Sequence, residues 1–178
     1  MKLSFKPLGT LLLIAVAALF VTSTSGESPA LVGKPAPEYQ FKSLDGSSVD
    51  LSSLKGSNVV VLDFWATWCP PCVASLPTMA KIAKEYKSKG VAFYAVNVQE
   101  TPKEVKAFLK KHKLEDLPVL MDESGDATKK FKVEAFPTSL FIDKAGVVKK
   151  GHIGIPSMNM AQVEKIIKAD LDELLKAK

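Results

Sequence analysis

Residues 59–72 read VVVLDFWATWCPPC, Val59 through Cys72. The first six residues are apolar apart from Asp63, and three are β-branched valines. A continuous run of this kind predicts a strand buried on both faces, as in a parallel sheet, rather than one with alternating wet and dry sides. Cys69 and Cys72 follow, separated only by Pro70 and Pro71, and they are the only two cysteines among 178 residues.

The flanking chain continues the pattern. Leu76, Met79, Ile82 and Tyr86 recur at helical spacing after Cys72, so a helix begins near the second cysteine and is expected to kink at Pro77, which lacks a backbone donor. Val91–Val98 reads as the next strand, Pro102–Lys111 as an amphipathic helix, Pro118–Met121 as a short strand and Ala127–Phe131 as a short helix. Thr138–Ile142 and Val147–Lys150 flank Asp143-Lys144-Ala145-Gly146 as a hairpin. A last helix carries Met160, Val163, Ile166, Ile167, Leu171, Leu174 and Leu175 on one stripe, with Asn159 and Gln162 fitting a capping box. Toward the N-terminus, Glu38–Phe41 and Val49–Leu51 are short strands around a turn at 44–47. Strands alternate with helices and the chain closes on a hairpin and a helix. That order predicts an α/β fold: a central mixed sheet flanked by helices, with Val59–Phe64 inside it and the cysteines just past its carboxyl end.

Composition narrows the function. The 47% hydrophobic and 24% charged fractions are ordinary for a single globular domain. All 24 basic residues are lysine, giving a net charge of +5. Nucleic-acid recognition favours arginine for bidentate base and phosphate contacts, and arginine is absent, so no nucleic-acid partner is expected. Lys2 and Lys6, the apolar run Leu11–Val21 and the small residues Thr22–Gly26 follow the order of a secretory signal peptide. The run is shorter than a bilayer span needs, although an uncleaved anchor stays open as the one membrane contact. With no cysteine near the cleavage zone, a lipid anchor is not expected. The organisation is then a signal peptide over 1–26, a proline-rich surface leader over 27–37 and one domain over 38–178. The mature domain would be extracytoplasmic, periplasmic or secreted, where disulfides persist.

The two cysteines admit three readings. As a staple they close so short a loop that the chain-entropy gain is roughly 2 kcal/mol. As a zinc or copper site they lack further ligands, since His112 and His152 show no ligand-like spacing. No metal and no bound cofactor are therefore expected. As a redox couple they make physical sense. Cys69 sits where free N–H groups and the helix dipole favour a thiolate, and it would attack a substrate disulfide. Cys72, one turn on, would resolve the mixed disulfide. Neither Pro70 nor Pro71 can donate to the Cys69 sulfur. The thiolate is then only moderately stabilised, which predicts a reducing couple.

Residues Asp63–Cys72 closely resemble the active-site segment of thioredoxins. Gly33-Lys34-Pro35-Ala36-Pro37 and Leu51-Ser52-Ser53-Leu54-Lys55-Gly56 resemble the lead-in of the extracytoplasmic TlpA/ResA branch, and Phe136-Pro137-Thr138 resembles the cis-proline loop. The resemblance covers about residues 31–177. It implies a thioredoxin fold with an N-terminal strand extension and a strand–helix insertion near 91–121, and thiol–disulfide exchange in the reducing direction. It implies that Asp63, where many of that branch carry Asn, accepts the Cys72 proton, unless it is a structural carboxylate at the strand end. It makes Glu100 either an acid that tunes the cysteines or an exposed loop residue. Pro137 would be cis, and Trp68, Pro70, Phe136, Pro137 and Thr138 would form the substrate-binding surface beside an exposed Cys69, with Trp65 packed beneath. The implied partners are client proteins with disulfides, apocytochrome c among them, and a membrane thiol relay as electron donor. Two rivals stand beside this reading. A thiol peroxidase would need an arginine, which is absent, and a threonine beside its cysteine, whereas Thr67 lies two residues before Cys69. A copper metallochaperone on the same fold would carry C-x-x-x-C and a distal histidine.

Overall fold

The computed structural model of the chain describes Met1 and residues 30–177. The expected signal peptide, Met1 apart, and the first residues of the leader lie outside that part. The elements run β1 (Gln40–Ser43), β2 (Ser48–Asp50), β3 (Val59–Trp65), α1 (Pro70–Tyr86), β4 (Val91–Val98), α2 (Pro102–His112), β5 (Val119–Asp122), α3 (Asp126–Lys130), β6 (Thr138–Ile142), β7 (Val148–Ile153) and α4 (Met160–Lys176). The seven strands form one sheet in the order β2-β1-β5-β4-β3-β6-β7. β3 pairs parallel with β4 and antiparallel with β6, so the sheet is mixed and β3 lies inside it. The 91–121 stretch supplies β4, α2 and most of β5, while the β1–β2 hairpin extends the far edge through β5.

The unbroken apolar run of β3 is explained by two cores, one on each sheet face. Val59, Val61 and Trp65 join the core that α1 and α4 cover. Val60, Leu62 and Phe64 join the other, with Phe41, Phe131 and Leu140. Successive strand residues point to opposite faces, so Asp63 shares the α1/α4 face, where Cys72 is also buried. Each fully buried aliphatic or aromatic side chain contributes roughly 1.5–3 kcal/mol, and every residue of β3 is buried. A polar atom on this strand therefore carries a desolvation cost wherever it lacks a partner, as Trp65 Nε1 does among the described residues.

Several local expectations need refinement. The segment at 30–37 does more than lie on the surface. Leu31 and Ala36 are buried, the Gly33 N–H donates to Val148 O at 2.8 Å, and the Ala36 N–H donates to Gly146 O at 2.8 Å. α1 continues through Pro77 from Pro70 to Tyr86. The cap of α4 is not the expected reciprocal box. Asn159 Oδ1 does accept from the Ala161 N–H at 2.9 Å, but Ser157 Oγ takes the Asn159 N–H at 3.1 Å and donates to Gln162 Oε1. The intervening hydroxyl occupies both groups that the box would have joined. The true capping box is at α2, where Thr101 and Glu104 satisfy each other's backbone N–H groups.

Candidate active site

The cysteines occupy the turn from β3 into α1. Cys69 is the N-cap, in extended backbone, and Pro70 and Pro71 take the first two helical positions. A missing N–H costs nothing there, because helix starts leave those donors unpaired anyway. The first N–H in the helix therefore belongs to Cys72, and it donates to Cys69 Sγ at 3.3 Å. Cys69 and Cys72 are joined as a disulfide with Cα atoms 5.3 Å apart. Cys69 is 4% exposed and Cys72 is 1% exposed, so the expected open Cys69 is largely covered. Its side chain turns inward to Cys72 and to the helix N-terminus.

Two carboxyls lie on or just after the neighbouring strands β3 and β4. Asp63 is 1% exposed, in β3, and pairs in register with Ala95 on one side and Ser139 on the other. Ser139 Oγ donates to Asp63 Oδ1 at 2.6 Å. Burial pushes the Asp63 carboxyl up to about 6, against a partial opposing pull from the Ser139 hydrogen bond. Glu100 follows β4 after Gln99, whose left-handed backbone (φ 57°) turns the chain. Its Oε2 accepts from the Thr67 N–H at 2.7 Å and from Asn97 Nδ2 at 2.7 Å, and its Oε1 accepts from Thr67 Oγ1. Glu100 is half-buried and fastens the segment leading into Cys69; it is not a free loop glutamate.

The cis-proline loop closes the site from β6. The Phe136–Pro137 bond is cis. Thr138 Oγ1 donates to Ala135 O at 2.7 Å, and the Gly154 N–H donates to Pro137 O at 2.7 Å. Phe136 has no backbone hydrogen-bond partner among the described residues. Trp68 is 60% exposed and meets the Phe136 ring edge-on, with centroids 5.9 Å apart. Trp65 is buried beneath the site, against Phe108. Pro70 and Pro71 are exposed. On either side of Gly154 in sequence, Ile153 and Met158 are also exposed apolar residues, Met158 being 89% exposed.

Cys69, Cys72, Trp68, Pro70, Phe136, Pro137 and Thr138 thus lie on the turn and the loop assigned to them from sequence. His112 stacks on Phe108, and His152 is held by Asp170 at 2.7 Å. Sequence reading missed Ser139, Asn97 and the hold of Glu100 on Thr67. Only strand register puts Ser139 beside Asp63. Among the described residues no group of three or more His, Cys, Asp or Glu could hold a metal ion.

A family model described as Redoxin matches residues 31–167. The chain is 38% identical over 142 residues to thiol-disulfide oxidoreductase ResA of Bacillus thuringiensis subsp. konkukian, covering 78% of this chain and 81% of that protein. Among solved structures, a protein described as a candidate thiol:disulfide interchange protein DsbE from Chlorobium tepidum gives a TM-score of 0.68 at 34% identity, over 79% of this chain and 95% of that one. The exposed lipoprotein thioredoxin Etrx1 of Streptococcus pneumoniae strain TIGR4 gives 0.66 at 33% identity, over 78% and 100% respectively.

Proposed function

The chain belongs to the redoxin family and is a thiol–disulfide oxidoreductase of the ResA/DsbE type, and on that basis we propose that it reduces disulfides of client proteins outside the cytoplasm. The Cys69 thiolate attacks one sulfur of the client disulfide, and the other leaves as a thiolate that takes a proton from water. Cys72 then gives its proton to the Asp63 carboxylate, and its thiolate attacks Cys69 Sγ. The Cys69–Cys72 bond forms, the Cys69–client bond breaks, and the second client sulfur leaves and is protonated. Two electrons pass from the cysteine pair to the client, which ends as two thiols.

The observation that carries the direction is the poverty of donors at Cys69. Its sulfur accepts one hydrogen bond among the described residues, from the Cys72 N–H, and the intervening prolines can add none. A thiolate held by so few donors stabilises the reduced form little, which makes the couple reducing. The unpaired backbone of Phe136 offers an edge to an extended client segment, and Trp68 and Phe136 supply its apolar contact. Apocytochrome c, with its paired cysteines, is a client to test. A membrane thiol relay would regenerate the dithiol, since no phosphate-cradling glycine loop indicates a bound nucleotide donor.

The signal-peptide pattern at 1–26 and the likeness to an exposed lipoprotein support the extracytoplasmic setting. No helix among the described residues is long and apolar enough to cross a membrane. The deciding experiment is the equilibrium reduction potential of Cys69/Cys72, by thiol trapping in graded dithiol buffers. A value near or below about −250 mV is expected, and one above about −180 mV overturns the reducing assignment.

A further inference from the structure

We propose that Ser139 is a positioning residue for the exchange reaction, its hydroxyl fixing the Asp63 carboxyl and setting how readily that group takes and gives up a proton. The inference rests on the reading of Asp63 as the acceptor for Cys72 and adds the group that controls it. Three observations carry it. Asp63 and Ser139 are direct cross-strand partners on the inner strands β3 and β6, and both are nearly sealed from water, 1% and 3% exposed. Ser139 Oγ stands 2.6 Å from Asp63 Oδ1, and this is the one hydrogen bond the carboxyl accepts among the described residues. On the other flank, the residue opposite Asp63 on β4 is Ala95, so that strand places no cation beside the charge.

A buried carboxylate without a counter-ion must be stabilised by dipoles. The Ser139 hydroxyl is free to point its hydrogen at the ionised form, and a hydrogen bond to the charged form favours it. Without that donor, burial alone governs and the carboxyl holds its proton to higher pH. The same bond holds one oxygen toward β6 and leaves the other without a hydrogen bond among the described residues. Other titratable groups face this region. Cys72 comes from α1. His152 is the register partner of Ser139 on β7, and its Nε2 lies 2.7 Å from Asp170 of α4, which Lys150 also reaches. A test must therefore observe Asp63 itself.

The experiment is a carboxyl 13C NMR titration of Asp63 in the full chain, reduced and oxidised, in the wild type, Ser139→Ala, Ser139→Val and Ser139→Thr. Valine and threonine share a shape and differ in the hydroxyl, so this pair separates donor loss from repacking even if Ser139→Ala folds poorly. Loss of the hydroxyl is expected to raise the Asp63 midpoint by about one pH unit. Thr is expected to restore it. The pH profile of the resolving step, followed by stopped-flow release of client thiol, should move up with the midpoint. A purely structural serine would lower the melting temperature and leave the midpoint in place, and that result overturns the proposal. Asp63→Asn separates the two layers. If the midpoint moves in Ser139→Val but Asp63→Asn resolves mixed disulfides at the wild-type rate, the proton-acceptor reading falls and takes the role of Ser139 in the reaction with it. If Asp63→Asn is slow but the midpoint in Ser139→Val stays fixed, only the assignment of Ser139 is lost.

Discussion

Asp63 lies within β3 and Glu100 at the exit of the neighbouring β4, yet the fold treats these two carboxyls in opposite ways. Asp63 is set in the middle of a strand, walled by two apolar cores, and receives one hydroxyl. Glu100 sits at the exit of β4 and receives a backbone N–H, a hydroxyl and an amide. A carboxylate starved of donors becomes a base near neutral pH, whereas one saturated with donors becomes a fastening. A place on neighbouring strands of the sheet is therefore a poor guide to role. The number of donors aimed at each carboxyl separates the group proposed to take the Cys72 proton from the group that holds a loop.

Asp63→Asn should disturb this contrast most, moving activity and stability in opposite directions. Removal of the acceptor is expected to slow resolution of mixed disulfides by about 10²-fold, the lower end for general base catalysis. Stability should rise at alkaline pH. Asp63 titrates at about 6 in the native state against the ordinary 3.8 of an exposed aspartate, so between those values the native state binds more protons than the unfolded one. Stability therefore falls as pH climbs through that window, and the asparagine variant escapes the loss. The gain should be at most about 3 kcal/mol at pH 8 and shrink to about 0.5 kcal/mol near pH 4. Urea unfolding of the oxidised protein at the two pH values measures it. An equal gap at both would mean that Asp63 is not destabilising as an anion, and the contrast with Glu100 would fail.

Glu100→Ala should instead lower activity and stability together. It strands the Thr67 N–H, the Thr67 hydroxyl and the Asn97 amide, and leaving such groups unpaired costs about 2–3 kcal/mol in all. Asn97 Oδ1 is already buried without a partner among the described residues, so that side chain has no second bond on its oxygen to fall back on. Exchange should slow a few-fold as the Cys69 turn loosens, with the pH profile unmoved and Glu100→Gln recovering part of the stability. A shifted profile in Glu100→Gln would show that the charge of Glu100 reaches the cysteines, which would join the two carboxyls in one electrostatic unit.

Much of this arrangement is legible in the residues themselves. The apolar run of β3 forces burial on both faces, and two prolines after a cysteine mark a helix start that tolerates missing donors. The partner of Asp63 is not legible, because Ser139 lies 76 residues away and reaches it through the β3–β6 register. Glu100 is visible as an acid after a strand, but its hold on Thr67 depends on a left-handed turn at Gln99, a residue type that does not announce one. The capping box at Thr101–Glu104 is legible in principle, since threonine precedes glutamate at the required spacing. The similar pattern at Asn159–Gln162 misleads because a hydroxyl two residues upstream competes for both groups.

The smallest and most discriminating change is Thr67→Val. It keeps the shape of the side chain and the backbone N–H that Glu100 accepts at 2.7 Å, and it deletes only the hydroxyl donor. If Glu100 is a fastening, one of its three bonds is lost while the turn stays anchored. Stability should drop by about 1 kcal/mol, and exchange with a small disulfide should stay within about two-fold of wild type, its pH dependence unchanged. Because Thr67 is also the nearest hydroxyl before Cys69 in sequence, the same variant probes the cysteine chemistry directly. Thermal melts together with a pH series of Ellman's-reagent reduction would read both quantities. A pH profile that moves while the melt does not would give the Thr67–Glu100 pair a share in proton handling, and the division between a base at Asp63 and a fastening at Glu100 would have to be redrawn.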